Sequence, residues 1–417
     1  MTASPDLGHP GHGPRTAAIA LLLAGSFLVS LAFGMLLLLP LYVVLRGGTE
    51  GDFGLIPAAA TLTAVVAIGA IIRDPERIPP HRLVAIAIAL YAGAAALVST
   101  GLIGLPLIGM GVVLGTSWAV VYTGSPMVMS AMVTDAERGA FFGYLTGTQQ
   151  LGIGLGPVLA RTLAETPLGL QGVFLAAGAI GLAGSVATAL IGRTRPPATR
   201  RSGPTTVPVR VSLVRIAGSP AATPLAIVVL FACLFTAMTT FQTTFGRSTG
   251  LDYGIYYVSY TVAVIVARFV VGPALRRFDP AAVIAGSVGI VCLATLSFLA
   301  IGTNPIFYAA AAATLGLGYG VGLPAAQAQV VNASDEALRP RALPVAGLLF
   351  QAAILSFPLV AGFVISALGY TAMFTMLVAL GLTQGVLAAS WWLGRRAGTS
   401  EASAAHGSTP PVRGNQK

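Results

Sequence analysis

Thirteen Asp and Glu side chains are the acidic groups in this 417-residue chain that could carry protons. An acid held in apolar surroundings has its neutral form favoured, which brings proton exchange toward a working pH. These acids are not placed that way. Asp6 and Glu401 lie near the ends of the sequence. Glu50, Asp52, Asp74, Glu76, Asp135, Glu137, Glu165, Asp252, Asp279, Asp335 and Glu336 fall between long apolar runs or at their edges. Asp52 and Asp252 occupy matching edges and are the acids to consider for proton coupling. Cys233 and Cys292 sit apart inside apolar runs, so they suggest neither a disulfide nor a metal site. No nucleophile, base and orienting group stand together, so no enzyme is expected. A phosphate loop is absent, and the one lysine is Lys417. No cofactor or metal is expected.

A second set of residues is polar or aromatic, sits inside apolar runs and recurs at helical spacing. Trp118 and Tyr122 form one group, and Thr146, Gln149 and Gln150 another. Thr240 and Gln242, then Tyr257, then Tyr319 and Gln327, then Gln351 follow along the chain. Buried amides must find hydrogen-bond partners, so each of these could simply tie helices together. As a set, aromatic faces with amide donors suit a small amphipathic organic molecule.

The elements that must hold these side chains are membrane helices. Hydrophobic residues make up 55% of the chain and charged residues 9%, with a mean hydropathy of +0.85. Soluble proteins carry about 25% charged residues. Runs of about 20 apolar residues suffice to cross a bilayer. Such runs fall near 17–45, 53–72, 83–101, 105–132, 141–163 and 170–192, and again near 223–245, 253–275, 281–302, 306–331, 342–367 and 370–393. This predicts an all-α membrane protein of twelve transmembrane helices. Residues 1–14 and 397–417 are small and polar and read as disordered tails. Residues 193–222, rich in Arg, Pro, Ser and Thr, read as a solvated linker between two six-helix units, 15–192 and 223–396. The net charge of +10 is spread between apolar runs and does not form one basic face, which argues against nucleic acid.

Arginine placement sets an orientation. With both termini in the cytoplasm, Arg46, Arg161 and Arg247 are the basic residues of the outer loops, and Arg268 lies inside a run. Such a bias predicts a plasma (inner) membrane protein with its linker inside. A central arginine costs about 2.5–3.5 kcal/mol by insertion scales. Arg268 lies about two helical turns from the cytoplasmic end and reads as a gating or structural residue.

The two units also repeat. Gly51-Asp-Phe-Gly54 matches Leu251-Asp-Tyr-Gly254 at a shift of about 200 residues. At nearly the same shift Arg46 matches Arg247, Gln150 matches Gln351, Pro157 matches Pro358, and Trp118 matches Tyr319. Duplicated six-helix units of this kind bind substrate at their mutual interface and rock to alternate access.

Twelve helices, a duplicated unit and a basic central loop together resemble the major facilitator superfamily over roughly residues 15–396. The stretch GYLTGTQQLGIGLGP at 143–157 is similar to that family's antiporter signature, with Gly143, Gly152, Gly156 and Pro157 at the matching positions. The signature's closing glycine pair is replaced by Ala160 and Arg161. Its presence implies export more than import. Small residues let helix backbones approach in lipid, and proline kinks a helix. A second family motif, a cytoplasmic latch, is matched loosely by Gly69, Arg73, Asp74 and Arg77, and in the second unit by Arg268, Gly272, Arg276 and Asp279. The resemblance implies a secondary exporter of a drug or metabolite, working as a monomer in lipid, with protons as a coupling ion. An uptake carrier for sugars or organic acids, or a receptor that kept the fold without transport, are the alternatives. The lack of intramembrane acids favours a neutral, zwitterionic or anionic substrate over a cation.

Overall fold

The computed structural model describes residues 12–73, 78–134, 137–194, 214–216, 218–275, 277–336 and 338–407. Among the described residues every regular element is helical and none is a strand. The chain begins with α1 (His12–Met35), which passes through a short 3-10 turn at Leu36–Leu38 into α2 (Leu39–Leu45). Then come α3 (Glu50–Arg73), α4 (Pro80–Val98), α5 (Leu105–Met132), α6 (Arg138–Ala164) and α7 (Gly169–Leu190). After residues 195–213, which are not described, α8 (Ala222–Thr240) breaks at Phe241 and resumes as α9 (Gln242–Thr249). Next, α10 (Tyr253–Val266) runs through a π-helical turn at Ala267–Val271 into α11 (Gly272–Leu275). The last helices are α12 (Pro280–Phe298), α13 (Pro305–Asn332) and α14 (Arg339–Gly407).

Among the described residues, ten stretches are long and apolar enough to cross a membrane. One covers Ala342–Arg395, 54 residues, and is interrupted by Gly369 at φ 83°. Only glycine adopts that backbone readily, so α14 holds two helical rods about one bend. The 27-residue α6 is not among the ten. Its glycines, threonines and adjacent glutamines make it too polar.

Helix starts are fixed by short polar side chains. Asp252 accepts the Gly254 amide at the head of α10, Asp279 accepts the Ala281 amide at the head of α12, and Asn304 accepts two amides at the head of α13. Thr49 and Asp52 exchange bonds at the head of α3 in a capping box. Each such cap contributes about 1 kcal/mol.

Packing is pairwise and follows the sequence repeat. In the first part α1 packs on α6 and α7, α4 on α5 and α7, and α3 on α5; in the second part α12 and α10 pack on α13, and α14 on α8 and α12. The parts meet where α3 lies on α14 and α6 on α10. Large apolar side chains such as Leu62, Leu105, Ile306 and Phe363 remain exposed on the outside, as lipid-facing residues do. Termini differ from the expected boundaries: the helical backbone begins at His12 and α14 continues to Gly407. Residues 1–11 and 408–417 of the expected tails, and most of the 193–222 linker, lie outside the described residues.

Candidate functional site

A cavity of about 980 Å³ lies where α6 and the π-helical turn after α10 face α1, α5, α8, α13 and α14. Its lining grades from buried Trp118 and Gln351 to exposed Tyr144, Phe278, Asn332 and Leu343. The exposed group sits near the start of α6, before α12, at the end of α13 and near the start of α14, and there the cavity is open. A volume near the upper end of ordinary small-molecule sites suits an organic ligand.

Three stacked aromatic pairs form its walls. Phe33 stacks on Trp118 at 4.1 Å between ring centroids, and Phe235 on Tyr319 at 4.8 Å. Tyr122 stacks on Phe350 at 5.8 Å. The first two pairs are equivalents under the shift of about 200 residues that relates the two parts. Between them lie Gln149, Gln150 and Gln351, each 6% exposed or less. Their Nε2 atoms have no hydrogen-bond partner, and neither has Gln351 Oε1. Unpaired buried amides are costly unless a ligand or water meets them. Thr146 also lines the space, but its hydroxyl donates to Phe142 O at 2.9 Å. Thr240 and Gln327 complete the expected residues found in the lining.

Two expected residues are elsewhere. Gln242 Oε1 accepts from Tyr308 Oη at 2.7 Å, and Tyr257 Oη donates to Thr239 O at 2.6 Å. The break at Phe241 carries Gln242 off the α8 face that holds Thr236 and Thr240. Tyr257 points from α10 into the packed wall behind the cavity. Both tie helices and do not line the cavity. Conversely, Phe33 and Phe235 do not stand out in the sequence. Their pairing at the repeat shift is the one signal that marks them.

Charge enters the lining once. Arg268 is the one charged residue among the described lining residues. The π-helical turn at Ala267–Val271 carries it. Asp279 caps α12 and does not pair with it. The side chain of Arg73, and Asp74, Arg77 and Arg276 entirely, lie outside the described residues.

The opposite end is closed. Arg161 on the last turn of α6 forms an ion pair with Asp252 at the head of α10. Tyr370 donates to Glu50 at 2.9 Å, the Gly51 amide to Ser366 Oγ at 2.9 Å, and Thr243 to Leu37 O at 3.2 Å. Asp52 is engaged in its own cap. Arg161 is thus a helical residue and not a loop residue. At the open end Arg15 donates to Glu137 at 2.5 Å and to Met132 O at 2.9 Å. Two hydrogen bonds from Thr134 and then Arg15 push the Glu137 carboxyl down to about 2.

The glycines of α6 face two neighbours. A Cβ at Gly152 would stand 2.7 Å from Phe27 O, and one at Gly156 would stand 2.5 Å from Gly34 C, both on α1. A Cβ at Gly154 would stand 2.5 Å from Thr261 Cβ on α10, and one at Gly147 would meet the Phe269 ring at 2.7 Å. Gly143 is unconfined and lines the cavity. Pro157 lies inside the helix.

Comparison with known proteins agrees with this architecture. The family model described as Major Facilitator Superfamily matches residues 22–330 and 248–415. No curated protein matches the sequence. Among solved structures, a bacterial homolog of the human lysosomal transporter Spinster, inward-facing and unoccupied, is similar at a TM-score of 0.71 and 12% identity, over 93% of this chain and 98% of that one. A point mutant of the nucleoside transporter NupG is similar at 0.68 and 16%, over 90% and 99%. The human organic anion transporter MFSD10 (TETRAN) is similar at 0.64 and 16%, over 90% and 100%. At these identities the likeness is one of fold. The match of the family model over most of the chain is one of sequence: the chain belongs to the Major Facilitator Superfamily, as a multi-pass membrane transporter.

Proposed function

We propose that the chain is a secondary exporter of a small organic molecule, built as twelve spans in two six-helix halves, working by alternating access. Both termini and the linker are cytoplasmic in this reading, in the inner membrane, and the cavity is open to the cytoplasm. The observation that carries it is the cavity itself, sealed at one end by contacts that join α3 to α14 and α6 to α10. Those are the contacts that must part for the cavity to open on the other side. Twelve spans follow if α6 crosses, held by α1 and α10, and if α14 crosses twice about Gly369. Repeat-related residues contribute equivalent walls, as expected of a site shared between duplicated halves. The Spinster homolog, described as inward-facing, has the same overall fold.

The glycines toward α1 hold α6 within its half, and those toward α10 form a closely packed surface across which the halves rock. Trp118, Tyr122, Thr146, Gln149, Gln150, Thr240, Tyr319, Gln327 and Gln351 contact the substrate. Proton antiport runs through the closed end. Protonating Asp252 removes its pair with Arg161, and Asp52 is its repeat-related counterpart. The test is uptake of a chemically diverse compound panel into everted membrane vesicles, with and without an imposed pH gradient. Accumulation that depends on the gradient supports export by antiport. Transport that ignores the gradient refutes the antiport, and no transport of any compound refutes the exporter.

A further inference from the structure

The geometry points to an organic anion as the substrate, its negative group held by Arg268 and its apolar body between the stacked aromatic pairs. This rests on the cavity being the transport site. Arg268 lines the cavity with no ion-pair partner among the described residues, and its Nε has no hydrogen bond although that atom is buried. Guanidinium groups taken out of water are ordinarily paired. No carboxylate among the described residues lines the cavity, so the missing counter-charge must come from what enters.

The surroundings add donors and no competing negative charge. Gln149, Gln150 and Gln351, all in the cavity lining, hold amide nitrogens without partners. Tyr122 and Tyr319 line the same cavity as Arg268. A fork of N–H donors flanked by amides and phenols matches a carboxylate, sulfonate or phosphate. The backbone agrees. Arg268 stands on a π-helical turn, a local widening that recurs at functional sites because it re-aims a side chain. The faces of Phe33 with Trp118 and of Phe235 with Tyr319 supply the apolar remainder of the site.

An anionic substrate also removes a difficulty. Export of a negative charge from a cell interior held negative is driven by the membrane potential itself. A cavity without an acid of its own is then sufficient for directional export.

The test is binding to the purified full-length protein, followed by Trp118 fluorescence after Trp391→Phe and Trp392→Phe. The probes are 2-naphthoate, 2-naphthalenesulfonate and neutral 2-naphthamide. The two anions are expected to bind at least tenfold tighter than the amide. Arg268→Met is expected to erase that preference, and Arg268→Lys to retain part of it, which excludes a folding defect. Equal binding of acid and amide overturns the proposal. So does an undiminished preference in Arg268→Met, or the absence of binding by either anion at millimolar concentration. Proteoliposomes of the unmutated protein separate the two claims. Anion-selective binding without any flux leaves the anion site standing and refutes the transport reading.

Discussion

Alanine at Gly154 and alanine at Gly156 are the same change two residues apart on one helix, and the two are expected to fail in different ways. A methyl at Gly156 enters the backbone of α1, 2.5 Å from Gly34 C and 2.6 Å from Met35 N. A methyl at Gly154 enters the Thr261 side chain on α10, 2.5 Å from its Cβ and 2.6 Å from its Cγ2. Neither neighbour is a flexible chain end, so each site must shift. Overpacking of this kind costs about 1–3 kcal/mol, roughly a 5- to 160-fold change in an equilibrium constant. Where the cost falls depends on what the contact joins. In the proposed two-half reading the α1–α6 contact lies within one half and persists in every state, so Gly156→Ala is expected to lower the unfolding temperature. The α6–α10 contact closes one end of the cavity, so Gly154→Ala disfavours that closure and populates the opposite opening. The assay is labelling of Thr243→Cys, whose parent side chain is fully buried at the closed end, by an impermeant maleimide, with Cys233 and Cys292 replaced by Ser. Gly154→Ala is expected to speed labelling at least about 5-fold, and Gly156→Ala to leave the rate unchanged while lowering the unfolding temperature. An unchanged labelling rate in Gly154→Ala, or equal acceleration in both, refutes the assignment of the two faces.

Further expectations use the same readouts. Arg161→Gln and Asp252→Asn each remove the closing ion pair, and Asn keeps the α10 cap. Both side chains are about two-fifths exposed, so each variant is expected to cost about 0.2–1 kcal/mol of closure, seen as up to roughly 5-fold faster labelling. Asp252→Ala loses the cap as well and is expected to cost about 1 kcal/mol more; similar values for Asn and Ala would exclude a capping role. Trp118→Ala and Tyr319→Ala are expected to weaken 2-naphthoate binding, measured by titration calorimetry, by similar factors, because each breaks one repeat-related stack, and a loss in only one would show that the walls are not equivalent. Glu137 is ordinarily protonated near 4.5 and is held down to about 2 in the folded protein. Its contribution to stability is therefore complete above about pH 4.5 and is lost as the pH falls toward 2. The difference in unfolding temperature between the unmutated protein and Glu137→Gln is expected to be constant above about pH 5 and to vanish near about pH 2.

Much of this molecule is legible in its sequence because lipid imposes simple rules. Apolar runs near 20 residues give helices, and the matching of Gln150 with Gln351 and of Trp118 with Tyr319 marks two walls of the cavity. What cannot be read depends on rotation and distance. Helical spacing predicts that Gln242 joins Thr240, but the break at Phe241 turns it toward Tyr308. The pair between Arg161 and Asp252 joins residues 91 apart and has no periodic signature. Nor does a hydropathy pattern announce a π-helical turn, so Arg268 reads as a gating or structural residue and not as part of a binding surface.

The polarity of α6 has a consequence for how the protein is made. A ribosome delivers α6 before α10 exists, and on its own this 27-residue helix is too polar to enter lipid readily. Its stable partner at that moment is α1, whose backbone its glycines already fit. If α6 crosses, as proposed, its entry into the bilayer is expected to depend on docking against α1 more than on partitioning. Substitutions at Gly152 or Gly156 would then act as assembly defects during translation, before transport begins.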